Sequence, residues 1–427
     1  MVSMARKSIL LLAGEASGDY HAAGMVRDLK SARPDIRVSG IGGDKLAQAG
    51  MELFHHYREI NTIGLSEGLG KLANILAAYR TMKRELLSGR HDIFIPVDFP
   101  DVNLRLCRVA RDAGVGVCYY ISPQIWAWRK GRVRKIAARV DRMMTIFPFE
   151  AKLYAEAGLR ADFVGHTMVR DISPGLDKAL LRRRMGLDPD VSAVALVPGS
   201  RPAEIRRMLP VMCEAARLHA NQYPDTQFLL PLAGEHLSGL VDEIVRGRGV
   251  RVQVSSTEAA VLMAACDSGL VTSGTATLQA ALAGMPHAVA YKLDRFTWLL
   301  ASKVLKPLVM DKDIHVAIGN VLAISREKEA DGPLQEMLHA GYRIPCLECG
   351  RPLFVPELLQ DNASPEKLAQ WLIRFRSEGP LREAMIRGFQ RLREMLTPER
   401  DDLTPASVVL EFLDHRNADP HTYARTR

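Results

Sequence analysis

The residues that most constrain the fold are a short apolar run and the glycine-bearing polar loop that follows it. The run Ile9–Ala13 leads directly into Gly14–Asp19, and a helical pattern follows from His21 to Lys30. Strand, tight loop and helix in this order open a Rossmann-type unit, whose loop lies at the carboxyl end of a buried strand. Open α/β sheets bind their ligands at that edge, so the sequence predicts a binding site that begins at Gly14.

The loop Gly14–Asp19 differs from a dinucleotide-binding fingerprint. Its glycines do not follow the Gly-x-Gly-x-x-Gly spacing, and it carries two carboxylates, Glu15 and Asp19. These carboxylates would repel a pyrophosphate, whereas sugar hydroxyls suit such a loop better. We therefore expect Glu15, Ser17 and Asp19 to contact a sugar.

The strand-then-helix rhythm runs twice along the 427 residues. In the first half, further strands are predicted at residues 38–41, 93–97, 117–121, 143–147 and 162–164, with helices such as 72–87 and 102–113 between them. In the second half, strands are predicted at residues 194–197, 227–231, 251–254, 268–272 and 287–290. This alternation predicts the α/β class, with a mostly parallel sheet covered on both faces in each half.

The stretch 170–189 is charged, contains two prolines and two glycines, and is interpreted as an interdomain connection. We therefore expect Rossmann-like domains at residues 1–172 and 190–385, followed by a helical segment and tail at 386–427. Because neither half carries a dinucleotide fingerprint, the pair favours a glycosyltransferase of GT-B architecture, with parallel sheets facing an interdomain cleft. A two-domain ligand-binding protein is the alternative from the pattern alone.

The composition is that of a globular protein, with 47% hydrophobic and 25% charged residues. The sequence lacks an apolar run long enough to span a bilayer, so no membrane-spanning helix is expected. Scattered cysteines favour reduced thiols in a cytoplasmic protein. The net charge of +8 favours acidic partners, namely nucleic acid, anionic lipid or phosphorylated substrates.

A carboxylate follows the predicted strand 93–97. Asp98 falls at the carboxyl end of that strand, where a partly buried carboxylate with a raised pKa can take a proton from a hydroxyl. Asp101 is predicted to cap the helix 102–113 and is a weaker candidate for contact with substrate. The sequence therefore predicts a general base at the edge of the first sheet.

Two loops in the second half have the residues of a diphosphate site. Pro198–Arg201 follows a strand and starts a helix, with Glu204 three residues further on; free N–H groups and a guanidinium there suit a diphosphate. Ser273, Gly274 and Thr275 follow the predicted strand 268–272 and lead into another predicted helix, 278–283, which also fits phosphate oxygens. Two such loops in one half favour a nucleotide-sugar site over two plain capped turns.

The segment 122–139 concentrates two of the four tryptophans, Trp126 and Trp128, beside basic residues. The basic residues are Arg129, Lys130, Arg132, Arg134, Lys135 and Arg139. One interpretation is an amphipathic surface for an anionic, lipid-bearing substrate. The alternatives are a buried tryptophan pair beside a solvated basic helix, and a nucleic-acid surface.

Two short patterns resemble parts of known metal sites, but neither has all the features that such a site needs. Asp311-Lys312-Asp313 resembles the metal-binding Asp-x-Asp of another glycosyltransferase class, but the single-domain pattern of that class is absent. Cys346 and Cys349 form one Cys-x-x-Cys pair, whereas a four-ligand zinc site needs more. We therefore predict no metal site.

An ordered set of motifs resembles the lipid-A-disaccharide synthase family. The motifs are Gly14-Glu-Ala-Ser-Gly-Asp19, Asp98 within Val97-Asp-Phe-Pro-Asp101, Ser122-Pro-Gln-Ile-Trp-Ala-Trp128, Phe147-Pro-Phe-Glu150, Val164-Gly-His-Thr167, Pro198-Gly-Ser-Arg201 and Ser273-Gly-Thr-Ala276. The resemblance covers about residues 8–323 and resumes near 352–359.

The resemblance implies an inverting GT-B glycosyltransferase of lipid A biosynthesis. Such an enzyme transfers 2,3-diacylglucosamine from UDP-2,3-diacylglucosamine to 2,3-diacylglucosamine 1-phosphate and releases UDP. The product is the β(1→6)-linked lipid A disaccharide 1-phosphate. The alternatives are another UDP-sugar transferase or epimerase of GT-B fold, and a non-catalytic nucleotide-sugar binder.

The resemblance also implies roles for individual residues. Asp98 occupies the general-base position, and Arg201 and Glu204 match the nucleotide-side motif. Because Arg201 and the helix start at residues 273–275 can stabilise the departing diphosphate in place of a metal ion, neither a metal ion nor a cofactor is expected. The residues expected to contact substrate are Glu15, Ser17, Asp19, Asp101, Trp126, Arg129, His166, Ser200, Glu204, Ser273, Gly274, Thr275, Gln279 and Asn320.

The chain departs from the family pattern in three places. Gln279 stands where glutamate is common, Gly319 stands where proline usually precedes Asn320, and residues 325–350 resemble an insertion. The expected location is cytoplasmic, peripheral on the inner face of the bacterial inner membrane and in contact with its anionic surface. No nucleic-acid partner is expected, and a homodimer is left open.

Overall fold

The computed structural model describes residues 7–61, 68–123, 133–292, 317, 320, 333–342, 344–345 and 352–418. The chain divides into two compact units. Unit 1 comprises Met1–Thr167 and Leu396–Arg427, and unit 2 comprises Met168–Met395. The sequence predicts domains at residues 1–172 and 190–385 and a separate segment at 386–427. In the structure, residues 396–427 belong to unit 1.

Unit 1 is built on a seven-stranded parallel sheet. Its strands are β1 Ser8–Ala13, β2 Arg37–Gly42, β3 Glu52–His56, β4 Ile93–Val97, β5 Gly116–Tyr120, β6 Arg142–Thr145 and β7 Ala161–Phe163. They pair in the order β3-β2-β1-β4-β5-β6-β7. The strand order reverses between β1 and β4, and open parallel sheets bind ligands in the crevice outside the carboxyl ends of the strands at such a reversal.

The helices of unit 1 cover this sheet. They are Ala16–Ala32, Asp44–Gln48, Tyr57–Asn61, Gly68–Leu87, Pro100–Asp112, Val133–Ala137, Pro148–Ala155 and Pro405–Ala418. Every residue of β1 and of β4 is buried, as continuous apolar runs in a parallel sheet require. The sequence prediction of a buried first strand followed by a tight loop is therefore confirmed.

Unit 2 repeats the arrangement with a six-stranded parallel sheet. Its strands are β8 Ala193–Val197, β9 Gln227–Pro231, β10 Val252–Ser255, β11 Ser268–Thr272, β12 His287–Tyr291 and β15 Glu357–Leu359. Their order is β10-β9-β8-β11-β12-β15, and the separate pair β13 Ile344–Pro345 and β14 Pro352–Leu353 is antiparallel. The order reverses between β8 and β11, so the same rule points to the loops that follow these two strands as a second ligand-binding position.

The helices of unit 2 flank its sheet in the same way. They are Thr167–Asp171, Lys178–Arg184, Pro202–Gln222, Ser238–Val245, Ala259–Ala265, Thr275–Leu282, Pro333–His339, Pro365–Ser377 and Gly379–Leu396. Among the helices of the described ranges, none is both long enough and apolar enough to cross a membrane. The two parallel sheets confirm the predicted α/β class.

An ion cluster centred on the buried Arg142 joins the C-terminal helix Pro405–Ala418 to the sheet of unit 1. Arg142 is only 2% exposed and donates to Asp162 at 2.6 Å and to Glu411 at 2.8 Å. Hydrogen bonding from Arg142 holds the pKa of the Glu411 carboxyl below its ordinary value. Removing one partner of such a buried group leaves a charge uncompensated, so this cluster ties residues 405–418 to unit 1.

Candidate functional site

The crevice of unit 1 is bordered by the loops that follow β1 and β4. Asp98 is half-buried directly after β4, and its φ of 43° lies in the left-handed region. Burial, and then the nearby charge of Glu15, raise the pKa of Asp98 to about 6. A carboxylate with this pKa is mostly ionised at pH 7 and basic enough to accept a proton from a hydroxyl.

The two loops approach each other closely because Gly14 has no side chain. A Cβ at Gly14 would lie 2.6 Å from the ring of Phe99, which is closer than atoms pack. Glu15 is exposed at the N-cap of the helix Ala16–Ala32 and makes no side-chain capping bond there, and Ser17 is half-exposed in its first turn. Glu15 and Asp98 therefore place two carboxylates at the same edge of the sheet.

Asp101 does not cap the helix that follows Asp98, so that prediction is wrong. The helix is Pro100–Asp112, and its N-cap is Phe99, with φ 48° and no side-chain capping bond. Pro100 suits the first helical position because its fixed φ is helical and its missing N–H is not needed there. Asp101 is an exposed residue of the first turn.

The side chain of Asp19 has a structural role. It is 3% exposed, and its carboxylate accepts hydrogen bonds from the backbone N–H groups of Gly43, Lys45 and Leu46 at 2.6, 3.1 and 3.2 Å. These N–H groups belong to the start of the helix Asp44–Gln48, where a carboxylate is favourable. We therefore leave Asp19 out of the residues proposed to contact substrate.

His166 lies in a buried cluster of unit 1. It is 4% exposed, and its ring packs edge-on against His21, with a ring-centroid distance of 5.3 Å, and beside Phe147. Burial lowers the pKa of His166 well below its ordinary value, so the ring is neutral at pH 7. The sequence predicts that His166 contacts substrate. Because its ring is packed inside unit 1, such a contact would require the ring to reach the ligand from a buried position.

The loop after β8 contains the exposed guanidinium that the sequence predicted. Arg201 is the N-cap of the helix Pro202–Gln222, and its side chain is 67% exposed. Glu204 accepts from the N–H groups of Ser200 and Arg201 at 3.2 and 3.3 Å and lies 3.5 Å from the guanidinium. The N–H groups of Ser200 and Arg201 are therefore occupied by Glu204, which orders this loop, while the Arg201 side chain projects into solvent.

The loop after β11 leads into the helix Thr275–Leu282, whose N-cap is Gly274. Gly274 and Thr275 are exposed, Ser273 is half-buried, and Thr277 bonds back to the carbonyl of Gly274 at 2.9 Å. The helix begins three residues earlier than predicted, so the backbone of Thr275 already lies in its first turn. An anion is favourable at this position because the first turn of a helix presents N–H groups that lack intrahelical partners.

Two further predicted residues of unit 2 differ in their surroundings. Gln279 is half-buried in the helix Thr275–Leu282. Asn320 is fully buried: its Oδ1 accepts from the N–H groups of Phe354 and Val355, and its Nδ2 donates to Val355 O and Glu357. These four bonds use the full capacity of the amide, so Asn320 fixes residues 354–357 and is not available to a substrate.

Several predicted residues lie outside the described residues. They are Trp126, Trp128, Arg129, Lys130, Arg132, Asp311, Lys312, Asp313, Cys346 and Cys349. Of the basic segment, Arg134 and Lys135 are exposed on the helix Val133–Ala137. Within the part of the chain that the structure describes, no group of three or more histidine, cysteine, aspartate or glutamate side chains could hold a metal ion.

Two buried residues next to Asp98 were missed by the sequence prediction. Asn103 and Tyr119 both donate to the carbonyl of Asp98 at 2.6 Å. Asn103 lies on the same helix face as the buried residues Leu106, Cys107 and Ala110. A polar residue in an otherwise apolar i, i+3, i+4, i+7 face is the signal that would have identified it.

Comparisons with known proteins agree on one family. The family described as "Lipid-A-disaccharide synthetase" matches residues 9–324. The lipid-A-disaccharide synthase of Geobacter sulfurreducens is 36% identical over 407 residues, which cover 95% of this chain and 97% of the relative. That of Myxococcus xanthus is 37% identical over 405 residues, with the same coverage of 95% and 97%.

Solved structures with the same fold are more distant in sequence. The calicheamicin glycosyltransferase CalG4 has a TM-score of 0.56 at 15% identity, covering 97% of this chain and 100% of that chain. The UDP-GlcNAc 2-epimerase of Neisseria meningitidis, bound to UDP-GlcNAc, has a TM-score of 0.56 at 11% identity, covering 96% and 100%. At these identities the likeness shows the fold alone, and it confirms the predicted GT-B class.

Proposed function

Because the chain belongs to the lipid-A-disaccharide synthase family of glycosyltransferases, we propose that it transfers 2,3-diacylglucosamine from UDP-2,3-diacylglucosamine to 2,3-diacylglucosamine 1-phosphate. The products are the β(1→6)-linked lipid A disaccharide 1-phosphate and UDP. The observation that carries the proposal is 36% identity over 95% of the chain. Residues at the two reversals of strand order support the proposal, because they include a carboxylate and a guanidinium of the kinds that such a transfer needs.

Asp98 is the proposed general base. The 6-hydroxyl of the acceptor attacks the anomeric carbon of the donor from the face opposite UDP, which inverts the configuration. Asp98 takes the hydroxyl proton as the new bond forms, and its pKa of about 6 suits that task at neutral pH. Glu15, on the neighbouring loop, keeps this pKa raised and makes no capping bond, so we propose that it contacts the acceptor sugar.

Unit 2 is proposed to hold the UDP part of the donor. The departing diphosphate gains negative charge in the transition state, and fixed donors aimed at that charge lower the barrier. Arg201 and the N–H groups of the first turn at Thr275 are the proposed donors, with Ser273 and Gly274 in the same loop. A guanidinium and a helix N-terminus can replace a cation in this role, so we propose a metal-independent reaction.

Acyl chains on both proposed substrates require the protein to work at a lipid surface. We propose that it associates peripherally with the inner face of the bacterial inner membrane. The exposed cations Arg134 and Lys135 support this proposal, because each basic residue near an anionic leaflet contributes about 1 kcal/mol to attraction.

Acceptor-dependent release of UDP tests the proposed reaction. The purified protein is incubated with UDP-2,3-diacylglucosamine, with and without 2,3-diacylglucosamine 1-phosphate, in the presence of a chelator. We expect UDP only when both substrates are present, and at the same rate after chelation. Release without acceptor would indicate a hydrolase or an epimerase-like reaction, and a loss of activity restored by Mg²⁺ would contradict the metal-independent mechanism.

A further inference from the structure

The backbone at Asp98 and Phe99 adopts the left-handed conformation, which residues other than glycine rarely adopt. Asp98 and Phe99 are consecutive non-glycine residues with φ of 43° and 48°. The left-handed region brings Cβ close to the following carbonyl oxygen, and residues other than glycine rarely occupy it in succession. The turn must therefore be held by contacts outside itself.

Two side chains from different elements hold this turn at one atom. The carbonyl oxygen of Asp98 accepts hydrogen bonds of 2.6 Å from Asn103 Nδ2, on the helix Pro100–Asp112, and 2.6 Å from Tyr119 OH, on β5. The N–H of Asp98 donates to the carbonyl of Tyr120 at 3.1 Å. Both backbone polar groups of Asp98 are thus fixed, and its side chain can change direction only by rotation about its own bonds.

Asn103 lowers the stability of the folded state in a way that a purely structural residue would avoid. It is 0% exposed, and its Oδ1 is buried without a hydrogen-bond partner among the described residues. A buried polar atom without a partner destabilises the folded state, whereas an apolar side chain of similar size would avoid that loss. The amide supplies Nδ2, which bonds Asp98 O and, at 3.3 Å, Val97 O.

We propose that Asn103 and Tyr119 are positioning residues that hold the left-handed turn at Asp98 and so fix the direction of the carboxylate that takes the acceptor proton. The inference rests on the proposed function, since it gives Asp98 the role of base. Neither residue touches substrate; both act through the carbonyl of Asp98. Misplacing a reacting group by about 1 Å can lower a rate about 100-fold, so a fixed turn has a direct effect on catalysis.

Replacement of Tyr119 by phenylalanine tests this inference with the loss of one hydroxyl. We expect Tyr119→Phe to lower kcat about 10- to 100-fold, with KM for both substrates near that of the unmodified chain. Tyr154→Phe is the matched control: Tyr154 is equally buried in unit 1, but its hydroxyl bonds Ser122 at 2.9 Å and not Asp98. The control should keep kcat near normal while losing a comparable amount of thermal stability.

The pH profile of kcat/KM gives a readout that a purely stabilising role would not change. In the unmodified chain, kcat/KM should fall below about pH 6 as Asp98 becomes protonated. Among the described residues, Glu15 is the charged group that raises this pKa, after burial. A loosened turn gives Asp98 more contact with water, so the acidic limb of Tyr119→Phe should move to lower pH.

Asn103→Leu and the double variant complete the experiment. Both donors act on one carbonyl, so the effects of Tyr119→Phe and Asn103→Leu on kcat should be less than additive. If Asn103→Leu does not fold, Tyr119→Phe alone decides. Normal kcat and an unmoved pH profile in folded Tyr119→Phe would overturn the positioning role while the proposed function stands. An unmodified chain without transfer activity would instead refute the proposed function.

Discussion

Replacing Asp98 by asparagine is expected to lower turnover roughly 10²- to 10⁴-fold in a chain that folds normally. The amide occupies the same space but cannot accept the proton of the attacking hydroxyl. Asparagine also tolerates the left-handed φ of 43° at this position, so the turn should survive the change. Initial rates at saturating concentrations of both substrates measure the effect.

The same variant should be more stable than the unmodified chain at neutral pH. The pKa of Asp98 is about 6 in the folded chain, against about 3.9 for an ordinary aspartate. The folded state therefore disfavours the ionised carboxylate, and stability falls as pH rises from about 4 to about 6. The substituted amide carries no charge, so we expect a gain on the order of 1–3 kcal/mol at pH 7 that disappears near pH 4.

Urea unfolding at pH 7 and pH 4 measures this difference, with Asp112→Asn as the control. Asp112 lies at the exposed end of the helix Pro100–Asp112, where a change of charge should alter neither stability nor turnover strongly. Near-normal turnover in folded Asp98→Asn would remove Asp98 from the mechanism. A variant no more stable than its parent at pH 7 would contradict the raised pKa.

Arg201→Ala is expected to lower turnover roughly 10²- to 10³-fold, equivalent to about 3 kcal/mol of lost transition-state stabilisation. The side chain is 67% exposed and its ion pair with Glu204, a 3.5 Å contact, is weak, so the loss should not come from unfolding. Arg201→Lys should restore activity only partly, because an ammonium lacks the planar fork that binds two phosphate oxygens.

Arg217→Ala is the matched control for Arg201. Arg217 lies on the same helix and makes an ion pair with Glu214 at the same i, i+3 spacing, but near the opposite end of the helix. Turnover and UDP affinity should be unchanged in this control. If Arg201→Ala also leaves both unchanged, Pro198–Arg201 is only a structural turn.

Much of the fold could be predicted because buried parallel strands are continuous apolar runs. The predicted strands 93–97, 227–231 and 268–272 agree residue for residue with β4, β9 and β11. The strand β3 was not predicted because Glu52, His55 and His56 interrupt its apolar pattern, as is common for a half-exposed edge strand. Helix starts were predicted too late because the connecting loops are shorter than their polar residues suggested.

The candidate site could be predicted only in part. Positions at strand ends follow from local sequence, which is why Asp98 and Arg201 were identified. The partners of a side chain do not: Asp19 bonds backbone groups 24 to 27 residues away, and Asn320 bonds residues 354–357. From the sequence alone, a carboxylate or amide that bonds a distant turn cannot be distinguished from one that binds a ligand.

The structure of the reaction product tests the central claim most directly. The protein is incubated with UDP-2,3-diacylglucosamine and 2,3-diacylglucosamine 1-phosphate, and the lipid product is examined by mass spectrometry and proton NMR. We predict a disaccharide 1-phosphate whose new linkage is β and joins the anomeric carbon to the 6-hydroxyl, formed at a greatly reduced rate by Asp98→Asn. A monosaccharide product or an α linkage would contradict the proposed inverting transfer.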